Sequence, residues 1–182
     1  MEALETKLKG CFILEPNIFN DKRGYFFESF NQKLFQELTE TQTVFLQDNE
    51  SFSTKGVLRG LHYQTGSYAQ AKLVRVVLGK VLDVAVDIRK DSKTFGKHVS
   101  VELSAENKKQ LFVPRGFAHG FIVLSETAIF SYKCDNYYNK ASEAGIIYND
   151  LDLNIDWQLP EKELLVSEKD IILPTFKNAI LP

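Results

Sequence analysis

Hydrophobic and polar residues alternate with a period of two along the middle of the chain, which is the pattern of strands that turn one face to a core. Residues 72–77 and 81–88 form two such segments, and Gly79 between them supplies the positive φ of a tight turn. The pattern therefore predicts a hairpin here. Residues 121–124 and 128–134 predict a second pair of strands, joined by a short polar link.

Helical periodicity is confined to residues 31–40 and to a short tail segment that opens at Ser167. Residues 97–103 predict a further strand. Because many short strands alternate with turns and no repeat or linker interrupts them, we expect an all-β fold, a sandwich or barrel of the jelly-roll kind with short peripheral helices. We expect one domain over residues 1–182, in which the loop-rich residues 151–182 wrap over the barrel.

The charge of the chain is nearly balanced. Its 22 basic and 24 acidic residues leave a net charge of -2, so there is no general electrostatic reason to expect nucleic acid or an anionic membrane as partner. Residues 1–10 carry charges throughout and lack the apolar stretch of a signal peptide, so we expect a cytoplasmic protein. We interpret the only two cysteines, Cys11 and Cys134, as buried thiols, ahead of a disulfide bridge or a nucleophile.

Two carboxylates lie on one face of the predicted strand at 81–88. Asp83 and Asp87 alternate with the apolar residues Leu82, Val84 and Val86, so their face is either solvated or functional. Because charges are seldom buried, the simpler interpretation is that both carboxylates face water.

Two of the three histidines, His62 and His119, lie beside glycines at predicted strand starts, in apolar surroundings. A lone histidine is more often a packed structural residue than a catalyst, so the structural and functional interpretations stay balanced. A metal site is a further alternative, but position 64 is glutamine and the third histidine, His98, has charged neighbours. We therefore predict that the protein holds no metal.

Lys72 and Tyr132 both fall in predicted strands, and each offers a donor to an enolate or a carbanion. Their alternative interpretations are a lysine that extends to solvent and a tyrosine packed in the core. Ser167 and Asp170 match a capping box, in which Asp170 only satisfies the first turn of a helix.

Taken together, these stretches resemble the dTDP-4-dehydrorhamnose 3,5-epimerase family over almost the whole chain. A short motif such as FAHGF is moderately specific, whereas many motifs in one order and spacing identify the chain as a member of this family. The matching stretches are residues 21–28 (DKRGYFFE), 47–49 (QDN), 58–64 (LRGLHYQ), 70–75 (QAKLVR), 114–121 (PRGFAHGF), 132–134 (YKC), 155–157 (IDW) and 167–170 (SEKD).

The resemblance implies a cupin-like jelly roll, a double-stranded β-helix, that forms a homodimer and binds a dTDP-sugar inside the barrel without metal or organic cofactor. It implies inversion of C3 and C5 of a dTDP-4-keto-6-deoxyhexose through enolate intermediates, as in rhamnose biosynthesis for cell-surface polysaccharides.

The resemblance also assigns roles to residues. His62 corresponds to the general base, Asp170 to the carboxylate that orients it, Tyr132 to the acid on the opposite face of the sugar, and Lys72 to the cation near the ketone oxygen. Inversion needs such a second proton donor, and an imidazole with a reference pKa of about 6.5 suits the base. Ten further positions correspond to contacts with the sugar, the diphosphate or the thymine: Arg23, Phe26, Glu28, Gln47, Asn49, Arg59, His119, Tyr138, Glu143 and Lys169. If the strand at 81–88 has a functional face, Asp83 is an additional binding residue.

The chain departs from the family pattern at two places. Residues 65–69 replace a link that commonly contains proline, and Tyr148 stands where tryptophan is frequent. These changes leave the exact substrate open, so the alternatives are an epimerase of C3 or C5 alone, or a keto-isomerase. Alternatives from other classes are a sugar-nucleotide-binding module without turnover and a metal-dependent cupin.

Overall fold

The computed structural model describes residues 1–181 and consists mainly of strands in two facing sheets. Pro182, the last residue of the expected C-terminal wrap, lies outside the described residues. The first sheet has the spatial order β1-β2-β10-β7-β12-β5. Its strands are β1 (Glu2–Glu5), β2 (Phe12–Glu15), β5 (Gln47–Thr54), β7 (Lys72–Leu78), β10 (Gln110–Val113) and β12 (Thr127–Cys134).

The second sheet has the order β13-β6-β11-β8-β9, and a short parallel strand, β14, pairs with β6. Its strands are β6 (Val57–Gln64), β8 (Lys80–Asp87), β9 (His98–Ser104), β11 (Phe117–Val123), β13 (Glu143–Gly145) and β14 (Leu165–Val166). A separate two-stranded arm is formed by β3 (Phe19–Asp21) and β4 (Gly24–Phe26).

The main core lies between the two sheets. Val74 and Val76 of the first sheet meet Ala85 of the second, and Phe130 stacks on Phe121 across the gap with 4.1 Å between ring centroids. Such packing of two antiparallel sheets is the jelly roll that the strand pattern predicted, and β9 lies at His98–Ser104 as expected.

The helices and the chain end cover the outer faces of the sheets. Helix α1 (Gln32–Thr39) begins at Asn31, whose side chain caps Leu34 N, and buries Phe35 against the first sheet. Residues 144–181 pack Leu153 and Trp157 on the second sheet and include α2 (Glu168–Ile171). Single 3-10 turns lie at Gly66–Tyr68, Lys140–Ser142, Glu161–Glu163 and Phe176–Asn178. Within residues 1–181, no helix has the length and apolar character needed to cross a bilayer.

Both predicted hairpins are wrong, although their strands exist. β7 pairs with β10 and β12 in the first sheet, whereas β8 pairs with β9 and β11 in the second. The chain thus turns a corner between sheets at Gly79, and it does so again between β11 and β12. The corners pack on one another, since Ser125 Oγ accepts a hydrogen bond from Lys80 N and donates one to Thr127 O.

The expectation that Asp83 and Asp87 face water is also wrong. β8 lies between β11 and β9 and is covered on both faces, so both carboxylates are fully buried. Asp87 accepts hydrogen bonds from the Arg89 guanidinium and from the hydroxyls of Ser92 and Thr94. Burial alone would raise the pKa of Asp87, but these donors outweigh it and lower that pKa to about 2.

A Gly79→Ala substitution tests the corner. Gly79 has φ +77°, and a methyl group there would lie 2.0 Å from the carbonyl oxygen of Thr127. We expect the free energy of unfolding in urea to fall by about 3 kcal/mol, because backbone strain adds to the clash.

Gly66→Ala is the matched control. Gly66 has φ +61° and nothing within 4 Å of an added methyl group, so only the backbone strain of about 1 kcal/mol should appear. Equal losses in the two variants would contradict a packed corner.

Candidate active site

A polar cleft opens between the two sheets, at the end of the barrel core. It has two adjoining parts of about 290 Å³ and about 110 Å³. His62, Lys72 and Tyr132 line both parts, so the three predicted catalytic side chains border one continuous space. The larger part is also lined by Gln47, Asn49, Tyr63, Gln64, Gln70, Cys134, Tyr138 and Glu143, and the smaller part by Ser51, Arg59, His119, Gly120, Phe121 and Phe130.

Strand register places these side chains opposite one another. Lys72 of β7 pairs with Cys134 of β12, and Tyr132 of β12 pairs with Asn49 of β5. In the second sheet His62 pairs with His119. Residues two apart on a strand share a face, so alternation along each strand carries the polar side chains inward.

Glycine is required next to the two histidines for steric reasons. A methyl group at Gly60 would lie 2.6 Å from Gly120 Cα, and one at Gly120 would lie 2.8 Å from the carbonyl oxygen of Arg59. Only glycine allows β6 and β11 to approach this closely. His119 lies near the start of its strand as expected, whereas His62 lies near the end of β6.

His62 forms a dyad with Asp170. Its Nε2 lies 2.7 Å from Asp170 Oδ1, and the other carboxylate oxygen accepts a hydrogen bond from Gly60 N at 3.3 Å. Ser167 Oγ caps the α2 segment through Asp170 N, as the capping pattern predicted. Burial would raise the pKa of Asp170, but the hydrogen bonds from His62 and Gly60 hold it below its ordinary value. Asp170 is therefore an ionised partner of the imidazole and not only a helix-capping residue.

Lys72 and Tyr132 face the cleft together. The Lys72 ammonium lies 5.8 Å from the centroid of the Tyr132 ring, and within residues 1–181 it forms no hydrogen bond or salt bridge, although Asp83 and Glu143 lie within electrostatic range. Burial lowers the pKa of Lys72 and raises the pKa of Tyr132. The phenol is thus protonated at neutral pH. The Lys72 ammonium beside it donates no hydrogen bond to another residue of the described chain.

His119 and Asp83 form a second pair deeper in the sheet. His119 Nε2 lies 3.0 Å from both carboxylate oxygens of Asp83. Asp83 is fully buried and lines neither part of the cleft, so it reaches the cleft through the imidazole of His119. A direct contact between Asp83 and substrate stays a prediction.

The rim of the cleft carries a chain of polar contacts. The Tyr138 hydroxyl donates to Glu143 Oε2 at 2.9 Å, and Lys169 binds the other oxygen of Glu143. Gln47 Oε1 accepts from Tyr138 N, and the Gln47 side chain donates to Asn49. On the inner side, the Arg59 guanidinium donates to Ser53 Oγ. With His119, seven predicted binding residues therefore lie in or at the cleft of one chain.

Three predicted binding residues lie elsewhere. Arg23 and Phe26 belong to the β3–β4 arm, where Arg23 pairs with Asp21, and Glu28 follows the arm. None of the three lines the cleft of its own chain.

Several residues that line the cleft were not among the predicted site residues. Gln64 is two residues from His62 and Cys134 is two residues from Tyr132, so strand alternation could have placed both. The same spacing relates Gln70 to Lys72 and Ser51 to Asn49. Cys11 and Cys134 are buried free thiols, as expected. Within residues 1–181, no three His, Cys, Asp or Glu side chains converge as metal ligands, and the absence of a metal stays a prediction.

Comparisons with known proteins agree on one family. The profile of the dTDP-4-dehydrorhamnose 3,5-epimerase family matches residues 5–178. The dTDP-4-dehydrorhamnose 3,5-epimerase of Shigella flexneri is 57% identical over 98% of this chain and 98% of its own length.

Two crystal structures are similar over nearly their whole length. The dTDP-4-dehydrorhamnose 3,5-epimerase of Elizabethkingia anophelis NUHP1 has 60% sequence identity and a TM-score of 0.95, and the match covers 98% of this chain and 97% of that one. The dTDP-6-deoxy-D-glucose-3,5-epimerase of Legionella pneumophila, in complex with dTDP-4-keto-L-rhamnose, has 50% identity and a TM-score of 0.93, with 97% and 93% covered. Because the similarity extends over nearly the whole chain, and the cleft contains the predicted His62–Asp170 pair, the chain belongs to the dTDP-4-dehydrorhamnose 3,5-epimerase family and is an isomerase with a cupin-like jelly-roll fold.

Proposed function

We propose that the cleft binds a dTDP-4-keto-6-deoxyhexose and that His62 and Tyr132 exchange the protons at C3 and C5 during its epimerisation. One observation carries this proposal: a carboxylate-backed imidazole, a protonated phenol and an unpaired ammonium line the same cavity. Hydrogens next to a ketone are acidic because the carbanion delocalises onto oxygen. The chemistry therefore requires a base, a proton donor and a positive group, which are the three groups found.

His62 acts as the base. Asp170 accepts from one ring nitrogen, so it fixes the imidazole tautomer and stabilises the charged ring that forms when a proton is taken from carbon. The imidazole lies partly exposed at the cleft while Asp170 is buried behind it. The proton therefore passes between substrate and His62.

Lys72 stabilises the enolate oxygen. Its ammonium forms no direct ion pair within residues 1–181, although Asp83 and Glu143 lie within electrostatic range, so its hydrogen-bond donors are available to a substrate oxygen. Because the cleft partly excludes water, the attraction between the ammonium and that oxygen is stronger than at an exposed lysine. Loss of such a donor typically costs about 10²–10³ in rate.

Tyr132 returns the proton from the opposite side. It lies on the first sheet while His62 lies on the second, so a sugar ring between the sheets has one group on each face. Removal on one face and return on the other invert the carbon. The positive charge of Lys72 near the phenol stabilises the phenolate that remains.

The nucleotide is held by the rest of the cleft. Arg59 suits the diphosphate because its guanidinium fork matches phosphate oxygens, and the exposed Tyr138 ring suits stacking on thymine. Glu143, Lys169, Gln47, Asn49 and His119 complete the contacts that position the sugar. Binding energy from the nucleotide then holds C3 and C5 against the base.

We propose further that the chain acts as a homodimer in which the β3–β4 arm completes the partner's cleft. Phe19, Tyr25 and Phe26 are exposed on this arm, Phe26 by 68%, and the two strands pair only with each other within residues 1–181. Apolar rings in such a position favour burial against another surface. Arg23 and Phe26 would then reach the diphosphate and the thymine bound by a second copy.

The single domain and the cytoplasmic location stay predictions.

Replacing His62 by alanine should abolish exchange of solvent deuterium into the sugar, because it removes the carboxylate-backed imidazole that takes the proton from carbon. Binding of dTDP should persist, since the nucleotide contacts are intact. NMR of the sugar in deuterated water measures the exchange, and calorimetry measures dTDP binding.

His98→Ala is the control, because His98 lies on β9 and lines neither part of the cleft. It should retain wild-type exchange. A His62→Ala variant that still exchanges and inverts would defeat the assignment of the base. Wild-type exchange at only C3 or only C5 would identify an epimerase of one centre.

Tyr132→Phe should lower the rate of product formation by about 10²–10⁴, the usual contribution of a positioned acid. Deuterium should still enter the starting sugar, because His62 continues to remove protons and return deuterons on its own side. Tyr148→Phe is the matched control, as Tyr148 packs on the outer core. Equal losses of exchange and of inversion in Tyr132→Phe would show that the phenol is not the opposite-face donor.

The arm is tested by mixing two inactive variants. In a heterodimer of His62→Ala and Arg23→Ala, one cleft has an intact histidine and receives an intact arm from its partner. After subunit exchange, about a quarter of wild-type activity should return, because half of the dimers are mixed and each has one complete site. Activity no higher than the sum of the separate variants would place the arm at its own cleft.

A further inference from the structure

Gln64 makes contacts that the proposed reaction does not use. Its side chain is buried, and Nε2 donates to the carbonyl oxygens of Tyr68 at 2.8 Å and Tyr137 at 3.2 Å. Its Oε1 accepts from Asn139 N at 2.7 Å. Two carbonyl acceptors and one N–H donor admit only this orientation of the amide, and they use both of its N–H groups.

These partners belong to two loops at the mouth of the cleft. The 65–69 loop follows β6 directly, and the 135–139 loop follows β12 and carries Tyr138. Gln64 is thus a single buried amide that ties the strand of His62 to both loops.

The loops are also tied to each other. Asn136 Nδ2 donates to Ser67 O at 2.9 Å, and Gln70 Nε2 donates to Asn136 O at 2.7 Å. The 65–69 loop contains Gly66 and no proline, so hydrogen bonds rather than local stiffness hold its shape.

Tyr138 depends on this arrangement. Its residue is 54% exposed, so packing fixes little of its position. Its backbone lies between Tyr137 and Asn139, the two residues held by Gln64 in the 135–139 loop. Glu143 holds the hydroxyl of the ring and Gln47 holds Tyr138 N, while Gln64 anchors the backbone on both sides of the residue.

We infer that Gln64 is a positioning residue for nucleotide binding: its amide fixes the two loops and so presents Tyr138 to the thymine ring. This inference rests on the proposed function, and it adds a residue that acts on substrate affinity and not on the chemical step. Loss of the Gln64 hydrogen bonds at the mouth should leave His62, Lys72 and Tyr132 in place, because these residues are held by the two sheets.

A Gln64→Met variant tests the inference, since methionine has nearly the same shape and lacks the amide. We expect the KM for the dTDP-sugar and the Kd for dTDP to rise about tenfold, with kcat changed by less than about twofold. Gln36→Met is the matched control, because Gln36 Nε2 also donates to a carbonyl, that of Thr43, and neither residue lines the cleft. It should change neither constant.

A double-mutant cycle with Tyr138→Ala separates positioning from general damage. If Gln64 acts through Tyr138, Gln64→Met should cause little further loss of dTDP affinity in the Tyr138→Ala background. Additive losses, or a fall in kcat with KM unchanged, would overturn the inference. Should Gln64→Met fail to fold, Asn136→Ala is the second variant, because it removes the hydrogen bond between the two loops on their exposed side. It should raise the Kd for dTDP about threefold. An unchanged Kd would overturn the inference.

Binding of dTDP is measured without turnover, so the two proposals fail separately. A wild-type protein that binds dTDP but does not exchange sugar protons would refute the proposed reaction and leave the Gln64 measurement intact. Normal turnover with unaltered dTDP affinity in Gln64→Met would refute only the role of Gln64.

Discussion

Desolvation is the constraint on which this structure depends. Two sheets face each other, and a polar group between them must find a partner because water is excluded from the core. Asp83 meets His119, Asp170 meets His62, and the amide of Gln64 has a partner for each of its N–H groups and for its oxygen. These polar groups are therefore paired before any ligand enters.

Lys72 differs from these paired groups. Its ammonium faces the cleft without a carboxylate partner in the described chain, and burial lowers its pKa. An unpaired cation in a partly desolvated cleft has a strong electrostatic effect on whatever oxygen comes close. Desolvation requires partners for the other buried polar groups, whereas the Lys72 ammonium remains available to bind the substrate.

Residues from distant parts of the sequence meet because of the way the chain covers the barrel. The C-terminal segment packs Trp157 and Leu153 on the second sheet, and this packing delivers α2 to the end of β6. Asp170 can then reach His62 across 108 positions of sequence. Apolar burial on the outside of the sheet therefore supports the polar dyad on its inner side.

The sequence by itself determined the local elements and the chemical inventory. Alternation predicted β9 and the strands around Gly79, and a periodic apolar face predicted α1, because these signals act over a few residues. The motifs identified the family and named His62, Lys72, Tyr132 and Asp170. Tertiary structure decided which strands pair: a glycine turn reads the same in a hairpin and in a corner between sheets, since the pattern records that faces are buried and not what buries them. It also decided that Asp83 and Asp87 are buried and that Gln64 holds the rim loops, because these outcomes depend on partners supplied by residues far along the chain.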